Sequence, residues 1–239
     1  MNEDVHAYWL EQSEAHVPSG DQWLTASERS RLASLRFDKR RREWRLGRWT
    51  AKRAVASCLH LPLDAHTLQD VEIRALPSGA PEVLLFQERA NLCISVSHRA
   101  GRAFCVLGLS GAELGCDLEL VERRGDSFVT DFFTASEQKL VNRASPEERP
   151  MLVTLVWSAK ESALKALKVG LRMDTTSLDV SFMDSTFNRG NHSYQDDRAP
   201  WSRLSLRNAT GQILRGWWRW ADDLVRTVVF SPLQNGLGY

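Results

Sequence analysis

Two acidic residues separated by one position, Asp117 and Glu119 in "GCDLEL", are the first candidates for chemistry. On a strand, residues two apart share a face, so both carboxylates point one way while Cys116, Leu118 and Leu120 point the other. Their α-carbons would stand roughly 6–7 Å apart. Carboxylates so close repel each other, and a divalent cation relieves the repulsion. Hard oxygen ligands suit Mg²⁺, which keeps some of its waters and takes phosphate oxygens from a substrate. A half-buried strand with a solvated acidic face is the other reading of the same residues.

A second group lies on a helix. Winding "MLVTLVWSAKESALKALK" at a helical period gathers Met151, Leu152, Leu155, Val156, Ala159, Ala163, Ala166 and Leu167 into one apolar arc. The opposite side carries Trp157, Glu161, Lys165 and Lys168, with Leu164 beside them. Glu161 and Lys165 have the spacing of an i,i+4 ion pair. Beside Trp157 they also suit the wall of a cleft. A third group is basic. "RFDKRRREWRLGRWTAKR" places Arg41, Arg45, Arg48 and Lys52 on one helix face, with only Asp38 and Glu43 to oppose the segment's cations. Guanidinium forks bind phosphate oxygens in pairs. Several phosphates, a nucleic acid, an acidic protein or plain solvent would each satisfy such a face.

The elements that position these groups repeat. "TASE" occurs at Thr25–Glu28 and again at Thr134–Glu137, and each copy is followed by a W-x-x-K segment, "WTAKRAV" from Trp49 and "WSAKESAL" from Trp157. Threonine with glutamate three residues on is a capping box at a helix start. Capping leaves the matched tryptophan and lysine unexplained, and a duplication explains them. Helical periodicity is expected over 24–60, with a break near Pro62, and over 134–168, interrupted by "ASPEERP". "LPSGAPEVLL" reads as a turn into a strand. Successive strands follow through "LCISVSHRAGRAFCVLGLSGAELGCDLELVER", with turns at Ala100-Gly101 and Ser110-Gly111. Residues 183–200 read as an exposed loop, and "RLSLRNATGQILRGWWRWADDLVRTVVFSP" as terminal strands, with Trp217 and Trp218 packed in the core. Helices on antiparallel strands, twice over, give an α+β fold, divided into 1–112, with the basic helix, and 113–239, with the acidic strand. If the two halves face each other, one offers cations and the other carboxylates, which suits a polyphosphate ligand carrying Mg²⁺.

Bulk properties narrow the classes further. The chain has 239 residues, 43% of them hydrophobic and 26% charged, with a net charge of +1. That balance argues against a general polyanion binder. No apolar run approaches a membrane span, and the N-terminal segment lacks a signal-peptide core. Cys58, Cys93, Cys105 and Cys116 follow no metal-binding spacing and read as reduced core residues. A cytoplasmic location is expected.

"LGCDLE", "FFTASE" and "WSAKESALKALKVGL", in that order, resemble the phosphopantetheinyl transferases of the surfactin type, with their G-x-D-x-E strand and W-x-x-K-E-x-x-x-K helix. "ISVSHR" is similar to that family's Ser-His segment, and the likeness runs from about Thr25 to Leu171. The resemblance implies a pseudo-twofold α+β fold of two similar halves with coenzyme A, the substrate, between them. It implies Mg²⁺-dependent transfer of 4′-phosphopantetheine from coenzyme A to a serine of an apo acyl- or peptidyl-carrier protein, releasing adenosine 3′,5′-bisphosphate. By motif position, Asp117, Glu119 and Glu161 would hold Mg²⁺, and Glu161, Lys165 and Asp117 would be catalytic. Lys165, Ser97 and His98 would contact coenzyme A, together with one or more of Arg40, Arg45 and Arg48. Glu161 is cast as ligand, base or both. A monomer is expected, acting on neither nucleic acid nor membrane. A nucleic-acid-binding module or an inactive carrier-protein binder are the alternatives. Departures from the pattern are Gly79-Ala80-Pro81 where a lysine is usual, Arg99 after the histidine, and Lys168 in place of a common glycine.

Overall fold

The computed structural model describes residues 7–109, 113–169, 173–183 and 201–231. The Ser110-Gly111 turn, Gly170 and Leu171 of the helix motif, and nearly all of the loop expected over 183–200 lie outside them. The chain divides into two units, Met1–Ala112 and Glu113–Tyr239.

The first unit opens with strand β1 (Ala7–Ser13) and helices α1 (Ala26–Ala33), α2 (Asp38–Cys58) and α3 (Ala65–Gln69). Strands β2 (Val71–Ala75), β3 (Pro81–Leu85), β4 (Glu88–Arg89), β5 (Leu92–Arg99) and β6 (Arg102–Leu109) complete it. They form two antiparallel sheets, ordered β1-β6-β5 and β2-β3-β4. One helix was expected over 24–60, and two are found. Phe37 takes an extended backbone between them, and Ser34 closes α1 by donating its hydroxyl to the Arg31 carbonyl. The Ala100-Gly101 turn is present, with both residues at positive φ (51° and 71°).

In the second unit, β7 (Glu113–Leu120) leads to α4 (Asp126–Phe132), α5 (Ala135–Arg143) and α6 (Arg149–Ala166). Strands β8 (Leu178–Phe182), β9 (Ser202–Asn208), β10 (Ile213–Ala221) and β11 (Leu224–Ser231) follow. They make one antiparallel sheet ordered β7-β11-β10-β9-β8. The apolar arc of α6 is buried, as its periodicity requires, and joins Leu178, Leu204, Leu206, Leu214 and Val225 in the core. The α+β class is borne out. Strands β1, β2, β4 and β8 and helices α3 and α4 went unread in the sequence, because they are short and have no strong period of their own.

Both TASE segments are capping boxes: Thr25 accepts from the Glu28 amide, and Thr134 from the Glu137 amide. Each glutamate also does more. Glu28 and Glu137 are buried and pair with Lys52 and Lys160, the lysines of the two W-x-x-K segments. The second carboxylate oxygen accepts from the Ile73 amide at 3.1 Å in one unit and from the Val180 amide at 2.8 Å in the other. Lys52 donates to the carbonyls of Trp23 and Leu68, Lys160 to those of Phe132 and Thr175. Each ammonium therefore has three acceptors for three protons, which is what makes a fully buried lysine tolerable. Lys52 consequently does not belong to a phosphate-facing basic surface, contrary to the helical-wheel expectation. Both long helices then end in a Schellman turn, with bonds from the Leu61 amide to the Ala56 carbonyl and from the Val169 amide to the Leu164 carbonyl. The left-handed residues are His60 (φ 55°) and Lys168 (φ 56°). Lys168 thus adopts a conformation that glycine, the residue it replaces in the family pattern, adopts without strain.

Among the cysteines, Cys105 and Cys116 are buried as expected, whereas Cys58 and Cys93 are only half-buried; all four are free thiols. Trp217 and Trp218 pack edge-on against Phe230 and Phe182. Among the described residues, no helix is long and apolar enough to cross a membrane.

Candidate functional site

Gly115 determines how the second unit's acidic strand meets its helix. A Cβ there would stand 2.0 Å from the Ser162 carbonyl oxygen, 2.5 Å from the Ala166 amide nitrogen and 2.8 Å from the Lys165 Cβ. Helix α6 therefore crosses β7 backbone to backbone at this point. One strand step further on, Asp117 meets Lys165 of the helix. The Lys165 ammonium donates to Asp117 Oδ1 at 2.8 Å and to the Cys116 carbonyl at 3.0 Å. Across the sheet Asp117 is in register with Thr227. The Thr227 hydroxyl lies 2.9 Å from that of Ser158 and 2.7 Å from that of Ser162, a buried hydroxyl group that pins α6 at the same level.

Glu161 is half-buried on α6, one turn before Lys165. Its carboxylate makes no hydrogen bond or ion pair to another described residue. Burial, followed by the nearby Asp117 charge, holds its carboxyl above the usual carboxylate range; Lys165 opposes the shift and Glu119 adds to it. Lys165 moves the opposite way from a buried lysine. Burial works to lower its pKa, but the charges of Asp117 and Cys116, the hydrogen bond to Asp117 and the Glu161 charge together outweigh it, and the ammonium is held above its ordinary value.

Glu119 has a partner that the sequence did not suggest. Arg124 Nη2 donates to Glu119 Oε2 at 3.3 Å. The same guanidinium lies over the Phe128 ring at 4.6 Å and the Trp157 ring at 5.7 Å from their centroids. Trp157 packs edge-on against both Phe128 and Phe132. It is thus the floor under an arginine rather than an open cleft wall, and Leu164 is fully buried. The only sequence signal for Arg124 was its place just after the acidic strand.

The donor chemistry is of the kind Mg²⁺ takes: three carboxylates, drawn from a strand and a helix, with Asp117 and Glu119 close enough to raise the titration of Glu161. Two cations, Lys165 and Arg124, already moderate the repulsion. Among the described residues no three acidic, histidine or cysteine side chains are gathered tightly enough to enclose a metal by themselves.

In the first unit, Arg40 is exposed. Arg45 is committed to Asp21 at 2.9 Å and to the carbonyls of Pro18, Ser19 and Gly20. Arg48 lies 4.0 Å from Glu28 and over the Trp44 ring. Ser97 is buried on β5, and His98 Nε2 stands 3.8 Å from a Glu43 carboxylate oxygen. By the repeat, Arg53 is the counterpart of Glu161, and it stacks over Trp49. The residues of β1 that match Asp117 and Glu119 by strand register are Leu10 and Gln12. The duplicated scaffold therefore carries its acids in one unit only.

An antiparallel sheet crossed by a helix, with carboxylates contributed by both, defines an α+β protein with an acidic site. Residues 113–220, just under half of the chain, match the 4′-phosphopantetheinyl transferase superfamily. Three solved structures show weaker likeness. A holo-(acyl-carrier-protein) synthase from Bacillus anthracis str. Ames, in complex with CoA (3′,5′-ADP), is 20% identical, with a TM-score of 0.37 over 44% of this chain and 95% of that one. The Helicobacter pylori holo-[acyl-carrier-protein] synthase, in complex with coenzyme A, is 20% identical, with a TM-score of 0.36 over 44% and 100%. The Thermotoga maritima holo-[acyl-carrier-protein] synthase is 22% identical, with a TM-score of 0.35 over 50% and 78%. No curated protein matches the chain.

Proposed function

We propose that this chain is a phosphopantetheinyl transferase of the surfactin type, moving 4′-phosphopantetheine from coenzyme A to a serine of an apo acyl- or peptidyl-carrier protein. The observation that carries the reading is the crossing at Gly115. It sets Asp117, Glu161 and Lys165 against one another inside the segment that matches the superfamily.

In this reading the carrier serine oxygen attacks the phosphorus that bears pantetheine. A new P–O bond forms, the pyrophosphate P–O bond breaks, and adenosine 3′,5′-bisphosphate departs with the electron pair. Asp117, Glu119 and Glu161 would hold Mg²⁺, which supplies neutralisation of charge on the pyrophosphate. Lys165, kept protonated by its carboxylate neighbour, offsets negative charge growing on the departing phosphate. Glu161 receives the serine proton. Without metal, burial and the Asp117 charge raise its pKa, which favours proton acceptance; ligation of Mg²⁺ would oppose that shift, so Glu161 would act as base chiefly when it does not itself hold the metal. On the first unit, Ser97, His98 and the arginines Arg40, Arg45 and Arg48 supply contacts to coenzyme A. Arg40 has the most accessible guanidinium of the three. The near-neutral total charge of +1 and the acids of the second unit favour this reading over a nucleic-acid module. The protein would act as a cytoplasmic monomer, since two duplicated halves within one chain need no second copy.

Intact mass spectrometry of an apo carrier protein, incubated with the chain, coenzyme A and Mg²⁺, tests the proposal. A phosphopantetheine mass gain that vanishes with EDTA is expected. No gain with fatty-acid, polyketide and peptide carriers alike would overturn it.

A further inference from the structure

We propose that Arg124 is a positioning residue for the metal ligand Glu119, and that the tryptophan of the W-x-x-K-E segment serves as its platform. The proposal rests on the metal role suggested above for the acidic strand, and goes beyond it to a residue outside that set. Three observations carry it. Arg124 bonds the Glu119 carboxylate directly, at 3.3 Å. Its guanidinium carbon lies over the Phe128 and Trp157 rings, so the aromatic floor restrains where the group can sit as well as complementing its charge. The side chain is also largely covered, at 18% exposure.

The first unit supplies an internal comparison. There Trp49 meets Trp23 edge-on at 5.2 Å, as Trp157 meets Phe132 at 5.2 Å in the second. The amides of Glu14 and Val121 bond the hairpin carbonyls of Gly101 and Asp223, which aligns the segments that leave β1 and β7. Three residues on from these stand Val17 and Arg124. Val17 packs with the Trp23–Trp49 cluster as an apolar side chain. The aromatic floor is therefore common scaffold, but the arginine over Trp49 is Arg53 of α2 itself, whereas the arginine over Trp157 comes from the segment that follows the acidic strand. A general packing role would be served by valine in both. An orienting role toward Glu119 accounts for the difference.

Groups that orient a metal ligand from behind typically contribute about 10–100-fold to metal affinity. The test is Mn²⁺ binding to the full chain with saturating coenzyme A, read from the free-ion paramagnetic resonance signal against a blank without protein. Arg124→Gln is expected to weaken Mn²⁺ by about 10–100-fold with a melting midpoint close to wild type. Arg124→Lys keeps the charge without the stacked plane and should fall between the two. Equal affinity in wild type and folded Arg124→Gln would overturn the positioning role. Should the glutamine variant fail to fold, wild-type affinity in a folded Arg124→Lys would do so. Absence of Mn²⁺ binding by the wild type would instead overturn the metal reading of the acidic strand itself.

Discussion

Replacing Gly115 by alanine adds one methyl group at the point where α6 crosses β7. The new Cβ would lie 2.0 Å from the Ser162 carbonyl oxygen, while ordinary contact begins near 3.4 Å, so helix and strand must separate by about 1.4 Å. Two of the three nearest atoms are backbone, so no rotamer change can absorb the clash. Overpacking of this kind costs about 1–3 kcal/mol, and each kcal/mol lowers the melting midpoint of a chain this size by about 2–4 °C. The functional effect should be larger. The displaced segment carries both Glu161 and Lys165, and a misplacement of about 1 Å can cost on the order of 10²-fold in rate. Thermal unfolding and timed mass-spectrometric transfer to an apo carrier measure the two effects. Gly47→Ala in mid-α2 is the control, since its Cβ would meet only Val96 Cγ1 at 3.9 Å; it should gain about 0.5–1 kcal/mol. Wild-type stability and rate in Gly115→Ala would refute the reasoning, because the close crossing would then position nothing.

Glu161→Gln should separate stability from activity. The folded carboxyl titrates above its unfolded value, so between the two pKa values the unfolded chain has lost a proton that the folded chain keeps. Stability therefore falls as pH rises across that window, and ionised Glu161 costs stability at every pH above it. The glutamine variant should melt higher than wild type at neutral pH, with the gap closing below about pH 4, while transfer falls by at least about 10²-fold; a lower neutral melting point would count against the burial argument. The Glu137–Lys160 pair should behave as a buried lock. Lys160→Ala alone is expected to lose about 3–5 kcal/mol in denaturant unfolding, and Glu137→Leu with Lys160→Met should recover most of it. A single-variant loss below about 1 kcal/mol would show that the pair behaves like a surface contact.

How much of this was legible without the fold depends on the range of the interaction. Strand alternation placed Asp117 and Glu119 on one face, and helical period placed Glu161 and Lys165 one turn apart, because both patterns depend only on local backbone geometry. The capping boxes were readable for the same reason: donor and acceptor lie three residues apart. The second task of Glu28 and Glu137 was not readable. Each meets a lysine more than twenty residues away, and nothing local says that Lys52 is buried while Arg40 is exposed. Helical spacing put Lys52 on the basic face, and tertiary packing turned it inward.

The sequence alone therefore determined the alternating acidic strand, the amphipathic helix and the fact of repetition, all properties of neighbouring residues or of the chain compared with itself. Only the tertiary structure decided which charges would be buried together, that Gly115 lets α6 rest on β7, and that Trp157 would lie beneath an arginine bound to Glu119. Those outcomes depend on where distant segments cross. A crossing is fixed by the packing of the whole core, which no short window of sequence contains.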